Sequence, residues 1–323
     1  MWKFGSKWSV GVDLGSESVK IVCLAQTGKT YNLVSYGMFY REHVEAIRET
    51  LSHPNLQKAN LRVSIKDSLV KIRKLELPPA PADELTQMVQ MALGQQLAGP
   101  IENYILRYQP LQKAVFIAER KQVDDYLVEL KQWGILNPAV VEPRLNSLAL
   151  AALHNHPIQA GERLAIVDIG RGTALFAVVS NEGLLFGRNL SDADGEDLFK
   201  QIANRMGSSV EEVDRRKRAD PAFLTLQNPD AKEPIIQWLY KVAVEIQNSV
   251  ENYELQFPNQ KVTGLILAGG ASKISGLSGY VQDTLKLSAT YIDAFARVNT
   301  SGFPVENFGE QGHFYAAAVG LAL

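Results

Sequence analysis

Apolar and polar positions alternate along this chain in a way that lays out most of its elements. Val10–Leu24 (VGVDLGSESVKIVCL) is an apolar strand, a small polar turn at Gly15-Ser16-Glu17-Ser18, and a second apolar strand. A short turn between β-branched runs predicts a hairpin. Thr30–Tyr40 adds a third strand, and Val44–Leu51 a short helix closed by His53-Pro54. Leu61–Ile65 and Leu69–Leu77 alternate as strands, and Asp83–Leu97 carries Leu85, Val89, Leu93 and Leu97 at helical spacing. Strands Tyr104–Leu111 and Ala114–Glu119, helix Gln122–Trp133, strand Ala139–Glu142 and helix Arg144–Leu153 follow. The opening scheme then starts again. Leu164–Ile169, Thr173–Ser180 and Leu184–Leu190 predict a second meander, its last turn at Asn181-Glu182-Gly183. Helices Gly195–Met206 and Val210–Arg218 come next, then a polar loop over Pro221–Pro234. The longest helix is Lys232–Leu255, with Trp238, Val242, Ile246 and Val250 on one stripe. Gly264–Leu277 is a strand that breaks at Gly269-Gly270 and runs into a helix, and FYAAAVGLAL closes the chain as a small-residue helix.

Composition narrows the function classes. The length, 323 residues with 46% hydrophobic, fits two globular domains. Thirty-three basic and 35 acidic residues give a net charge of −2, so there is no electrostatic footprint for nucleic acid. The basic run Asp214–Arg218 reads as a solvated helix end. Cys23 is the single cysteine, no run is long and apolar enough to span a bilayer, and a cytoplasmic location is expected. The histidines, His154 and His156 among them, have no metal-ligand spacing. Met1–Lys7 is basic and aromatic, either a frayed terminus or a weak contact with a membrane surface or partner.

The chemistry suggested by the first hairpin is phosphate binding. Asp13 ends a strand beside a turn that aims backbone N–H groups and the Ser16 and Ser18 hydroxyls at one point. Turn amides make an anion-binding nest, and a nearby carboxylate can orient a hydrated Mg²⁺ that bridges phosphates. Taken alone, D-x-G-S also occurs in hairpins for turn reasons only. The second meander repeats it, however, with Asp168, Gly170, Gly172 and Thr173.

Two D-x-G turns followed by an apolar–Gly–Gly element resemble the actin-like ATPase superfamily across nearly the whole length. The resemblance implies an α/β fold of two related halves that clamp ATP or ADP. Gly15, Ser16, Ser18, Gly170, Gly172 and Thr173 would cradle its phosphates, and Lys20 either offsets their charge or is, equally, a surface lysine. Asp13 and Asp168 would orient Mg²⁺, and Gly269, Gly270 and Ser272 would border the adenosine. Glu245 and Ser249 are implied as ribose or base contacts. Glu142, before Pro143, is the residue for positioning a hydrolytic water or, equally, a cap for the following helix. At most weak ATPase activity is expected.

An early insertion, at about residues 35–115, sets this chain apart within that superfamily and resembles the FtsA type. It divides the chain into a first half, 1–160, and a second, 161–323, with a small helical subdomain at about 195–235. VKIRKLELP with YILRYQPL, then IAERKQVDDYLVELKQWGILNPAVVEP and GLLFGRNLSDADGEDLFKQIANRMG, resemble the PilM family of type IV pilus assembly proteins. That resemblance implies a protein at the inner face of the inner membrane, in a machine of the kind that drives twitching motility. It implies capture of the N-terminal tail of a PilN-like membrane protein, with strand Leu69–Leu77 and helix Asp83–Leu97 as the docking groove. Coupling to pilus assembly ATPases and homo-oligomerisation are further implications, with nucleotide as a switch. An FtsA-like filament protein and a GspL-like scaffold without nucleotide remain alternatives. Arg171, where the family has a small residue, and Ser64-Ile65-Lys66-Asp67, where it has a Pro-Gly turn, depart from the pattern.

Overall fold

Val10 and Val12 are fully buried on β1 (Lys7–Leu14), and the intervening Gly11 meets the C-terminal helix. This period-2 pattern, apolar on both faces, is what a strand covered on both sides requires. The computed structural model describes residues 7–304, 308 and 311–323; nearly all of Met1–Lys7 lies outside them.

β1 pairs antiparallel with β2 (Ser18–Thr27), which pairs with β3 (Thr30–Tyr40). On its other side β1 runs parallel to β4 (Asn60–Ile65), and β4 parallel to β8 (Val140–Pro143). The second half repeats this plan. β9 (Leu164–Ile169), β10 (Ala174–Ser180) and β11 (Gly183–Asn189) form the meander, while β12 (Gly264–Ala268) and β13 (Ala289–Tyr291) add parallel strands beside β9. Both sheets thus follow one order, which is the duplication anticipated from the repeated D-x-G turns.

Two helices are shared between the halves. α5 (Arg144–Asn155) and the C-terminal helix Ala316–Ala322 lie in one apolar cluster with Val22, Leu24 and Leu33 of the first sheet and Ile166, Leu175, Ala177 and Val179 of the second. Close approach explains the small residues. A Cβ at Gly11 would overlap the Ala318 carbonyl oxygen, and one at Gly320 the Ser147 carbonyl oxygen. β14 (Val298–Asn299) also crosses over and pairs with β3, so the second half of the chain finishes the first half's sheet. Outer faces are covered by α1 (Val44–Ser52) and α4 (Arg120–Leu130) on the first sheet. α6 (Gly195–Met206), α8 (Pro229–Gln256) and α9 (Leu277–Leu285) cover the second.

The insertion is narrower than about 35–115. α1 buries Ile47 in the first core, and β4 is held in the main sheet by its parallel ladder to β1, so both belong to the first half. What is inserted lies between β4 and α4. It is a three-stranded sheet, β5 (Lys71–Lys74), β7 (Ala114–Glu119) and β6 (Tyr104–Gln109) in that order, with α3 (Ala82–Leu93) packed over one face.

Three further boundaries differ from the sequence reading. Leu69–Leu77 shrinks to β5, because a 3₁₀ turn occupies Asp67–Leu69 and an edge strand has one ladder to hold it. Helix Asp83–Leu97 ends at Leu93, with Gly94 as its C-cap. The loop Pro221–Pro234 is a 3₁₀ turn at Pro221–Leu224 and then the start of α8 at Pro229. Proline marks loops, but it also suits a helix's first turn, where its missing N–H has no partner to lose. Here Asn228 caps α8 by accepting from Asp230 N at 3.1 Å.

Candidate functional site

Asp13 and Asp168 end β1 and β9, and both are almost wholly buried, 1% and 2% exposed. A single guanidinium joins them. Arg144 Nη2 donates to Asp168 Oδ2 at 2.7 Å, its Nε lies 3.1 Å from Asp13 Oδ1, and its Nη1 donates to Thr173 Oγ1 at 2.9 Å. Asp67 adds a third carboxylate, 3.8 Å from Nη1. Ser64 donates its hydroxyl to Asp13 at 3.1 Å. Arg144 is the first residue of α5, whose Leu145, Leu148 and Ala152 are buried between the sheets, so the helix fixes the backbone from which the guanidinium reaches the aspartates.

The site is buried and charge-dense, and its protonation equilibria show it. Burial pushes the Asp67 carboxyl up to about 6 despite the nearby Arg144. Burial likewise raises Asp168, against the pull of Arg144. For Arg144 burial works against the charge, yet Asp13, Asp168 and Asp67 together hold it above its ordinary value. Lys20, opposite Asp13 in the β1–β2 ladder, is lowered by burial and by Arg144, with Asp13 and Asp168 opposing.

Above this cluster opens a cavity of about 250 Å³ between the two halves. Gly15, Ser16, Ser18 and Lys20 line it from the first hairpin, and Gly170 and Thr173 from the second. Gly269 and Gly270 line it from the end of β12. Gly269 has φ +81°, and a Cβ there would lie 2.5 Å from Asp168 Oδ1, so only glycine lets β12 turn away beside the buried aspartate. Phe199, Leu224, Ile274 and Phe314 give the far wall an apolar character. Turn backbone, four cations (Lys20, Arg144, Arg171 and Lys217) and an apolar wall fit a nucleotide, phosphates toward the hairpins. They do not fit a divalent cation between the aspartates. Arg144 already lies there, and among the described residues no group of three or more His, Cys, Asp or Glu is disposed to hold a metal ion.

Other candidates fall elsewhere. Gly172 faces Ser16, where an added Cβ would come 3.0 Å from Ser16 Oγ, so the two turns touch. Ser272 is buried behind the Gly-Gly turn, which it braces by donating to Gly269 O at 2.7 Å. Glu245 accepts from Arg188 Nη2 at 3.2 Å and Ser191 N at 3.4 Å, and Ser249 is fully buried and donates to Glu245 O. That stretch of α8 faces β11 rather than the cavity. Glu142 lies in a separate cavity of about 290 Å³ between the insertion and the first half, with Ile65, Val70, Ile105 and Phe116. Its Oε1 is buried without a hydrogen-bond partner and burial raises its pKa. Nor does it cap α5, whose N-cap is Pro143 with no side-chain bond.

The docking groove also looks different from its sequence version. α3 covers the small sheet, and the cleft beside it, about 530 Å³, is bordered by β6 through Tyr104, Leu106 and Tyr108 rather than by β5. The strand β5 instead borders the second half, near Phe186 and Arg188.

The sequence reading missed Arg144. A cation in a helix's first turn opposes the helix dipole, and that mismatch was a signal that it must be paired. It also missed a clasp across the mouth of the cleft. From α7 (Val210–Ala219), Lys217 reaches Glu17 of the first hairpin at 2.9 Å, and Arg218 reaches Glu42 at 2.7 Å and lies over the Tyr40 ring. Arg171 is tied to Glu196 at 2.6 Å and Asp214 at 3.2 Å, its guanidinium 3.5 Å from the Phe199 ring.

Duplicated halves closing on hairpin turns define the actin-like ATPase fold, and the solved structures agree. The chain superposes with a TM-score of 0.81 over 97% of both chains on a PilM-PilN type IV pilus biogenesis complex, at 20% identity. The ethanolamine utilization protein EutJ from Carboxydothermus hydrogenoformans matches at 0.54 and 15% identity, covering 98% of this chain and 89% of that one. MreB 5 of Spiroplasma citri, bound to AMPPNP, matches at 0.52 and 13%, covering 97% and 94%. Residues 107–323 match the family described as Type IV pilus assembly protein PilM, and the chain belongs to that family. Among the described residues no helix is long and apolar enough to cross a membrane.

Proposed function

We propose that this protein is a nucleotide-binding scaffold of a type IV pilus machine, whose cleft binds ATP or ADP and whose first half docks the N-terminal tail of a PilN-like inner-membrane protein. The observation that carries the nucleotide reading is the meeting of two hairpin turns, one from each half, at one cavity with Lys20 and Arg144 on its floor. MreB 5, which shares the fold, is described as bound to AMPPNP. Nucleotide acts as a switch on the cleft rather than as fuel, since Glu142, the residue expected to position water, lies in another cavity. Any hydrolysis is slow.

For the partner, the apolar cavity holding Glu142 is the better dock. An extended peptide could cover Ile105 and Phe116 beside the Glu142 side chain that lines the same cavity. Its partner places the protein at the inner face of the inner membrane, where it would couple to pilus assembly ATPases.

Titration with mant-ATP tests the first half of this reading. Wild type binds, and Ser16→Glu, which adds a negative charge at an exposed cavity residue, weakens binding at least about tenfold. Equal affinity for the two proteins would count against the cleft. For the second half, calorimetry with a synthetic peptide of the PilN-like tail should show binding that Glu142→Arg abolishes while mant-ATP affinity stays unchanged.

A further inference from the structure

The position between Asp13 and Asp168, where a nucleotide's metal was expected, holds the Arg144 guanidinium. It is held by Asp168 at 2.7 Å, Thr173 Oγ1 at 2.9 Å and Asp13 at 3.1 Å, with Asp67 at 3.8 Å. Mg²⁺ requires oxygen ligands at about 2.0–2.1 Å in octahedral array, with several waters retained. Asp13 Oδ1 and Asp168 Oδ2, the oxygens that face each other's half, are already taken by Arg144. The backbone that carries Arg144 is fixed, because Leu145 and Leu148 of the same helix are buried between the two sheets. Nor can Arg144 lose its charge, since a guanidinium stays protonated in proteins. A divalent cation beside it would meet a fixed positive group in a largely buried site.

Arg144 also faces the cavity together with Lys20, so both cations of the floor look toward the place where phosphates would lie. We propose that Arg144 takes the place of the divalent cation: together with Lys20 it offsets the phosphate charge, and nucleotide binding in this cleft does not depend on Mg²⁺. This rests on the nucleotide reading of the cleft. The guanidinium does two jobs at once, holding the aspartates of the two halves together and presenting its remaining face to an anion, as its planar fork of five donors allows. Lys20 donates to Ser18 O at 3.4 Å, which leaves the other ammonium protons for a ligand.

Two measurements on the full chain test this. Mant-ATP is titrated with millimolar Mg²⁺ and again in EDTA; the two affinities should agree within about threefold, well inside a factor of ten. A loss of more than tenfold in EDTA overturns the proposal and leaves the nucleotide reading standing. No binding in either condition overturns both. Separately, Mn²⁺ alone is titrated against the protein and followed by electron paramagnetic resonance. Wild type should show no one-to-one site below about millimolar, whereas Arg144→Ser, which vacates the space between three carboxylates, should gain one. Tight stoichiometric Mn²⁺ on wild type that Arg144→Ser leaves unchanged or abolishes overturns the proposal whatever the nucleotide does. If Arg144→Ser does not fold, the wild-type titrations decide alone.

Discussion

A buried carboxylate that gains less from its partner than it loses by leaving water becomes a pH sensor, and Asp67 is one. It is 8% exposed, with Arg144 as its cationic neighbour at 3.8 Å, and burial pushes its carboxyl from the ordinary 3.8 up to about 6. Because the folded state holds its proton to higher pH than the unfolded chain, this group's contribution is intact below about 4 and is lost as pH rises through 6. Asp168 is shifted in the same direction. Asp67→Asn removes the penalty. Urea unfolding at pH 4, 5, 6 and 7 should show the variant gaining on wild type as pH rises, by roughly 2 kcal/mol across the range. A constant difference at all four values would mean that Asp67 does not titrate in this window.

At the scale of elements, the C-terminal helix Ala316–Ala322 and α7 stabilise the molecule in opposite ways. The helix is wedged between sheets so tightly that its glycine has no room for a methyl group. Gly320→Ala would gain about 1 kcal/mol of helix propensity. The methyl would nevertheless drive into the Ser147 carbonyl, and overpacking of a rigid core costs about 1–3 kcal/mol or more. The steric term wins, and thermal unfolding should report a lower midpoint. α7 is held by ion pairs at partly exposed positions, Lys217–Glu17 and Arg218–Glu42. Each is worth less than about 1 kcal/mol and is screened by salt. The clasp is therefore weak enough to open without unfolding. Replacing both Lys217 and Arg218 by Ala should leave the unfolding midpoint within about 3 °C of wild type. Amide exchange in the turn Gly15–Ser18 should quicken several-fold, as it should in wild type at high salt. A turn that exchanges at an unchanged rate would show that α7 does not guard it.

On the scale of the whole molecule, the insertion has its own apolar cluster around Val89, Leu93, Val115 and Ile117, apart from the cluster shared by the two halves. Replacing residues 71–117 by a short linker, which leaves Asp67 in place, should thus spare the cleft, with mant-ATP affinity held within about threefold. Binding of the PilN-like tail peptide should disappear, because one wall of the cavity at Ile105 and Phe116 is gone. Retained peptide binding would move the dock to another face. Loss of nucleotide binding together with peptide binding would show that the insertion supports the cleft.

The amino-acid sequence by itself determined the duplication, the hairpins and the Gly-Gly break. All three are written in local terms: strand period, turn residues, and the positions where a side chain cannot fit. It also marked the small-residue helix FYAAAVGLAL, although not that two sheets would close on it. Tertiary structure alone decided what lies between the aspartates. Asp13, Asp67, Arg144 and Asp168 come from four separate segments, and no spacing rule links residues that meet only after both sheets have formed. It decided as well that Glu142 and Glu245 turn from the cleft, since a strand or helix fixes which face a side chain takes only when its neighbours are in place. Local patterns record how the backbone folds nearby; the charge balance of a buried site is set by distances in space.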